Sequence, residues 1–574
     1  MSRWLVTLCA IAFATLCLAP VAVMALRVES ADVGTLLEMR VWSLLWRTLK
    51  LGLAVAFGCL ALGVPFGFLV ARTDVLGARF LRPLAIVPLL VPTLLMAMTW
   101  TALSDVRGAV ATGALLILAY FPLVALFTAR AAERIDGRQE EAAWSLGGLG
   151  AVLRADLGAV LPGAFAGACL AFTFAVNDFS VPDFVSSVGV KFNVYADEIF
   201  ANWSQYERPG LAVATAAPLL VLTLGALVPV LWLRRKGSFA PLAPSFRAPG
   251  VLPLGRWRLP ATLFAWSLVT AATLVPLGRL AWEASGGPAA WRPVAARAVL
   301  EGREVPDAAA APRPVAPGAE EEALDGATPL TLGERLSIAP TVVAGQLDTF
   351  GIAFGQAFDR AREDVRRSLV LGIGAASIAL LLGLVLGHAA ERSRRLRGPL
   401  LLCALVPLAV PGTLFGIGTA TLWDSAELAT LTGGVSRDFY TTQGMVVLLL
   451  TGRLAAFAIL IVAGAVAGVS RVSEESAASV GAPPLARLVR IVAPSITGAL
   501  AAAWICVYAF ALRELDSALV VTEARRTAIV RVFNGVHFGR DEYVAALALV
   551  LVFTILLPGM LWAAFAKRPA KVLP

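Results

Sequence analysis

The sequence predicts an all-α polytopic membrane protein with about 12 transmembrane helices in two homologous six-helix halves. Three observations carry that expectation. Of the 574 residues, 58% are hydrophobic and only 15% charged, against roughly 45–50% and about 25% in an ordinary soluble chain. Twelve runs are apolar enough, over roughly 20 residues each, to cross a hydrocarbon core about 30 Å thick. Blocks of the first half recur in the same order in the second. A soluble globular chain, a disordered chain and a disulfide scaffold are excluded by this composition.

The expected spans are 4–26, 51–71, 83–104, 109–129, 163–185, 210–233, 259–282, 369–390, 399–423, 441–468, 496–520 and 544–566. With the N-terminus in the cytoplasm, the inside segments hold 24 Lys and Arg against 9 acids, and the outside segments 21 against 26. This is the positive-inside pattern. It puts both termini in the cytoplasm and assigns the net charge of +9 to topology, with no nucleic-acid partner. The first run exceeds the apolar core of a cleaved signal peptide and is expected to stay as a helix. Cys9, Cys17, Cys59, Cys169, Cys403 and Cys506 lie in apolar runs without metal or disulfide spacing, and read as small buried hydrophobes. With two histidines, His388 and His537, no metal site and no cofactor are expected in this chain. Trp4, Trp42, Trp46, Trp203, Trp257, Trp282 and Trp562 cluster at span ends, as an interfacial belt requires.

The repeat begins with Arg47-Thr48-Leu49, Gly52, Gly63, Gly67 and Arg72, matched 320 positions on by Arg367-Ser368-Leu369, Gly372, Gly383, Gly387 and Arg392. VPLLVPTLL at Val87–Leu95 matches VPLAVPGTL at Val406–Leu414, at a spacing of 319. EEAAWSLG at Glu140–Gly147 matches EESAASVG at Glu474–Gly481, at a spacing of 334. Three ordered blocks, one of them polar, argue for duplication. The expected organisation is a first half 1–233, a cytoplasmic linker 234–258 and a second half 259–574. Paired halves around a central pathway are a common transporter plan. An insertion at 283–368, with Pro306, Pro312, Pro314, Pro317 and Glu320-Glu321-Glu322, reads as a flexible external linker. Its end, about 329–366, reads as helical and lying on the membrane surface.

Two polar loops, 130–162 and 469–495, lie between the fourth and fifth spans of their halves. In the second, Glu474 and Glu475 open a short helix, where acids suit the positive dipole end. Gly481 permits a tight turn. Leu485, Leu488 and Val489 then follow at helical spacing, with Arg487 and Arg490 interleaved. That pattern describes a short amphipathic helix suited to a groove on a partner.

These loops resemble the EAA loop of type I ABC importer permeases: Glu-Ala-Ala, three residues, Gly, nine residues, Ile, one residue, Leu-Pro. The second half gives Glu475-Ser476-Ala477, Gly481, Ile491 and Ala493-Pro494. The first gives Glu141-Ala142-Ala143, Gly147 and Leu161-Pro162, its Pro two residues further along. The resemblance implies two cytoplasmic ATPase subunits on the two loops and a periplasmic or extracellular solute-binding protein. It also implies a multi-pass chain in a bacterial inner membrane that is a transport subunit, not an enzyme. This chain has no GxxxxGK[ST] phosphate loop. Gly372/Gly374 and Gly416/Gly418 read as helix-packing positions. The fused form is similar to ferric iron permeases, whose relatives carry thiamine, aminoethylphosphonate or polyamines. FAVNDFSVPDF, Phe174–Phe184, and FALRELDSALVVT, Phe510–Thr522, resemble segments of that group, with Asp516 where the group has Pro.

Asp178, Asp183, Arg513, Glu514 and Asp516 lie in or at the outer ends of the fifth and eleventh spans. A charge at the bilayer centre costs at least about 2.5–3.5 kcal/mol on insertion scales, so such groups face protein or water. Asp178, Pro182, Arg513 and Glu514 are candidates for the translocation pathway. Pro182 is expected to break the fifth helix, and Arg513 to pair with Glu514 or an acid across the halves. Arg279 is expected to snorkel, and Arg453 has no evident partner in the sequence. A 6+6 transporter driven by an ion gradient would share the spans and repeats but would not need the two loops. A membrane enzyme would need a catalytic constellation that the sequence lacks.

Overall fold

The computed structural model describes residues 3–29, 34, 36, 38–104, 107–188, 192–204, 209–235, 247–287, 331–521, 526–538 and 542–565. The Pro-rich part of the expected linker lies outside them. Among the described residues there is no strand, only an isolated bridge between Thr73 and Leu252.

In chain order the helices are α1 Trp4–Leu26, α2 Met39–Arg72, α3 Ala78–Leu90, α4 Thr93–Leu103, α5 Gly108–Ala132, α6 Gly137–Asn177, α7 Ser180–Val188, α8 Tyr195–Ser204, α9 Pro209–Arg235 and α10 Gly255–Ala284. Then follow α11 Leu332–Arg392, α12 Arg394–Ala409, α13 Gly412–Leu431, α14 Gln443–Val466, α15 Arg471–Ser479, α16 Pro484–Ser495, α17 Thr497–Arg513, α18 Ala528–Phe538 and α19 Glu542–Phe565. Among the described residues nine helices are long and apolar enough to span a membrane, or up to 12 if each of three bent pairs is one span. Phe57, Val221, Leu263, Leu381 and Phe553 are exposed along these helices, as a lipid-facing surface requires.

The expected third and ninth spans are not straight. α3 and α4 meet at 99°, and α12 and α13 at 103°. Both breaks fall on Val-Pro. Val91 (φ −73°, ψ 141°) and Val410 (φ −76°, ψ 129°) are extended, as residues before proline prefer, and Pro92 and Pro411 have no N–H to continue a helix. The third bent pair is α16 and α17, at 85°. The fifth span breaks at Asp178 and Phe179, not at Pro182. Pro182 sits in the first turn of α7, where its missing N–H breaks no helical bond.

The stretch expected on the membrane surface instead continues into the eighth span. α11 runs unbroken for 61 residues, roughly 90 Å at 1.5 Å per residue.

The first helix of each sequence half reaches the other half, and the C-terminal end of α10 also packs on α19 of its own half. α1 lies against α13 and α14: a Cβ at Gly418 would stand 2.4 Å from Pro20 O, and one at Gly452 2.2 Å from Leu16 O. α10 lies against α3 and α4, with Thr273 Oγ1 donating to Leu84 O (3.0 Å), Trp266 Nε1 to Leu76 O (3.0 Å) and Trp100 Nε1 to Ala271 O (3.3 Å). Repeat-equivalent contacts also recur. A Cβ on Gly52 would meet Val176 Cγ1 at 2.4 Å, and one on Gly372 would meet Leu512 Cδ1 at 2.2 Å. Tyr195 N donates to Thr48 Oγ1 and Ala528 N to Ser368 Oγ, both at 2.9 Å, so the Arg47-Thr48-Leu49 and Arg367-Ser368-Leu369 texts each cap a short helix. Cys17, Cys59 and Cys169 are buried, whereas Cys9, Cys403 and Cys506 are only half-buried.

Candidate functional site

All four backbone breaks of the fifth, eleventh, third and ninth spans converge on one cavity. Its walls include Thr93, Tyr120, Asp178, Arg453, Glu514 and Asp516. Asp178 is buried and fully occupied. Its Oδ1 accepts the Val181 N–H (3.0 Å) and the Ser180 hydroxyl (3.1 Å), capping α7. Its Oδ2 accepts from Thr93 Oγ1 (2.9 Å) and Tyr120 Oη (2.7 Å). Glu514, 336 positions on, does the equivalent work: Oε1 accepts from Ser517 N (3.3 Å), Ser517 Oγ (2.9 Å) and Arg453 Nε (3.1 Å).

Glu514 therefore pairs with Arg453 and not with Arg513. Arg453 Nη1 also donates to Pro407 O (3.3 Å) and Val410 O (2.5 Å). Pro411 offers no N–H to Pro407 O, so a side chain from α14 supplies the missing donor. Arg513 donates to Leu89 O and lies over the Phe510 ring at 5.1 Å. Arg279 pairs with Glu283 at 3.0 Å, where snorkelling alone was expected. The cavity is floored toward the loop end by three rings: Phe457 stacks on Phe510 (4.8 Å), and Phe174 stands 6.0 and 5.8 Å from them. Phe174 and Phe510 are repeat equivalents, so the fifth and eleventh spans face each other here.

At the loop end each half holds its first loop glutamate on the arginine that ends the preceding long helix. Arg72 Nη2 meets Glu140 Oε1 at 2.5 Å, and Arg392 Nη2 meets Glu474 Oε1 at 2.6 Å. The partners around these pairs differ. Buried Asp156 lies 3.6 Å from Arg72, while His388 Nε2 lies 2.8 Å from Glu474 Oε2. Burial pushes the Glu474 carboxyl up, but the hydrogen bonds and charges of His388 and Arg392 outweigh it and hold it below the ordinary value. Glu141 pairs with Arg247 at 2.6 Å, and Glu475 is exposed.

The turn glycine differs between loops. Gly481 has φ +85°, in the left-handed region. In the first loop Gly147 is extended (φ −166°) and Gly148 takes the positive φ (+61°, ψ −153°). Beyond it the backbone runs helically through Pro162 to Asn177, whereas the second loop bends again at Ile496. Ala142 is exposed, Ala143 and Ala477 half-exposed, Ile491 half-buried and Pro494 exposed. Trp144, Leu146, Val480, Leu485 and Val489 present apolar surface outward, and Leu488 and Val492 are buried.

Thr93, Tyr120 and Asn177 escaped the sequence reading, which marked Arg453 as a span charge but not its partner. Aligning FAVND with FALRE sets Asn177 against Arg513 and would have marked it. Thr93 carried a weaker signal, one residue past Val91-Pro92.

Residues 63–236 match the family model of the binding-protein-dependent transport system inner membrane component. The matched stretch begins inside α2, ends just past α9, and includes the first loop, the Val91-Pro92 break and Asp178. It indicates a permease component of binding-protein-dependent ABC import, a transport subunit. No curated protein matches the chain.

Proposed function

We propose that this chain is the translocation subunit of an ATP-driven importer, with two permease halves fused and 12 spans. Two cytoplasmic ATPase subunits engage the loops at Glu140–Gly148 and Glu474–Gly481. A solute-binding protein delivers cargo to the opposite face of a bacterial inner membrane, and both termini are cytoplasmic. The observation that carries this reading is the paired clamp, Arg72–Glu140 and Arg392–Glu474. It ties both loops, at equivalent positions, to helices that line the bundle. A push on either loop is thereby transmitted into a spanning helix. The exposed Trp144, Leu146, Leu485 and Val489 give the ATPases an apolar contact.

In the mechanism, ATP-driven closure of the ATPases moves the loops as levers, and the aromatic floor of Phe174, Phe457 and Phe510 parts. Cargo crosses between Asp178 and Glu514. Three acids against two arginines on the cavity wall favour a cation. Ferric iron is the cargo we infer, on the resemblance of Phe174–Phe184 and Phe510–Thr522, with polyamines, thiamine and aminoethylphosphonate as its alternatives.

The test is ATPase capture and radiolabelled ferric iron uptake in cells lacking the chain. Wild type should restore both. Trp144→Glu/Leu485→Glu, on exposed positions, should insert normally yet lose both. Capture unaffected by the double variant would refute the docking role of the loops. Uptake unchanged by deletion, with other iron systems removed, would refute the iron assignment alone.

A further inference from the structure

Asn177 and Arg513 are repeat equivalents, 336 positions apart, at the C-terminal ends of α6 and α17. Each reaches out of its own half. Asn177 Nδ2 donates at 3.3 Å to Ala409 O, in the last turn of α12, and Arg513 Nη1 donates to Leu89 O, in the last turn of α3. The last four carbonyls of a helix have no donor within it, and here the Val-Pro breaks end both helices inside the protein. The orphaned carbonyls of one half are thus satisfied by the other. Thr223 Oγ1 adds a second donor to Ala409 O at 2.8 Å.

We propose that Asn177 and Arg513 form a reciprocal latch that holds the two halves shut around the cavity, and that the pathway opens only when both release. They are positioning residues: they act on the backbone breaks, not on cargo. The latch is unequal. The guanidinium bond is charge-assisted, and such bonds are roughly twice as strong as neutral ones, so Arg513 carries the greater share and sets the order of release. This rests on the importer reading only in taking the cavity as the pathway.

The experiment uses the full-length chain in membrane vesicles of both orientations, without ATPase or cargo. A cysteine is placed on the cavity wall by Leu454→Cys, and its modification by an impermeant maleimide is followed against the background of the chain without that substitution. In the latched protein labelling is slow. Asn177→Ala/Arg513→Ala should speed it by about thirtyfold or more, the scale of losing a neutral and a charged hydrogen bond together. The exchanged variant Asn177→Arg/Arg513→Asn keeps one donor of each kind across the halves and should return to the slow rate, which a merely structural loss would not do. Unchanged labelling in a double-alanine variant that purifies as the wild type does overturns the latch. Fast labelling in the exchanged variant overturns its reciprocity. Because no ATPase is present, failure of loop docking leaves this outcome untouched.

Discussion

Asp197 on α8 accepts the Val194 N–H on Oδ2 at 2.8 Å, while Oδ1 is buried without a hydrogen-bond partner. Burial raises its carboxyl to about 7. The Val194 N–H opposes the rise, and the carboxylates of Asp183 and Glu198 add to it. The folded state therefore keeps a proton that the unfolded chain has released, so stability falls as pH rises from about 4 to about 7 and levels off above. Asp197→Asn keeps the acceptor for Val194 and removes the titration. Its melting temperature, measured in detergent, should overtake that of the wild type progressively across that window; parallel curves would contradict the assignment. At this scale the sequence marks which charges matter, because an acid or arginine inside an apolar run must be satisfied. It does not mark by whom. Arg453 and Glu514 are 61 positions apart on different spans, and only packing brings them within 3.1 Å.

Two helix interruptions illustrate what is legible at the level of elements. The Val-Pro texts were visible as repeats, yet hydropathy averaged over them reads as an uninterrupted span. The bends near 100° follow from local backbone rules that a hydropathy window ignores. The loop glycines make the converse point: spacing selects Gly147, but the strained conformation belongs to its neighbour. Gly148 at φ +61°, ψ −153° occupies a region reserved almost wholly for glycine. Gly148→Ala should cost about 1–3 kcal/mol, whereas Gly147→Ala, extended and 3.1 Å from the Ala151 methyl, should cost under about 1 kcal/mol. Gly481→Ala at φ +85° should fall between, at about 1–2 kcal/mol. Denaturation of the three variants in detergent ranks them; an equal cost at Gly147 and Gly148 would contradict the turn geometry.

For the whole molecule, the repeated blocks are legible in the text but the crossing of the first helices is not, because α1 and α10 carry no repeat block and their partners are non-local. The consequence is mutual dependence. Fragments 1–240 and 241–574, co-expressed from separate messages, should co-purify, since α1 holds to α13 and α14 and α10 to α3 and α4. Deleting α1 from the first fragment should weaken recovery of the pair, read as the fraction retained on a tag at the other fragment. Independent elution of the intact fragments would contradict the crossing.

The unbroken α11 gives the molecule a stiff pointer. Its last third crosses with the spans, the 349–368 stretch packs beside Gly286, Tyr543 and Arg531, and the 332–348 stretch reaches past those contacts for roughly 25 Å. On such a shaft, a tilt of about 10° beyond those contacts sweeps the tip through roughly 4 Å. Rearrangements too small to see among the packed spans thus become distances that a fluorophore pair can follow. A dye near Arg335 and another near Glu427 should change separation whenever the cavity opens.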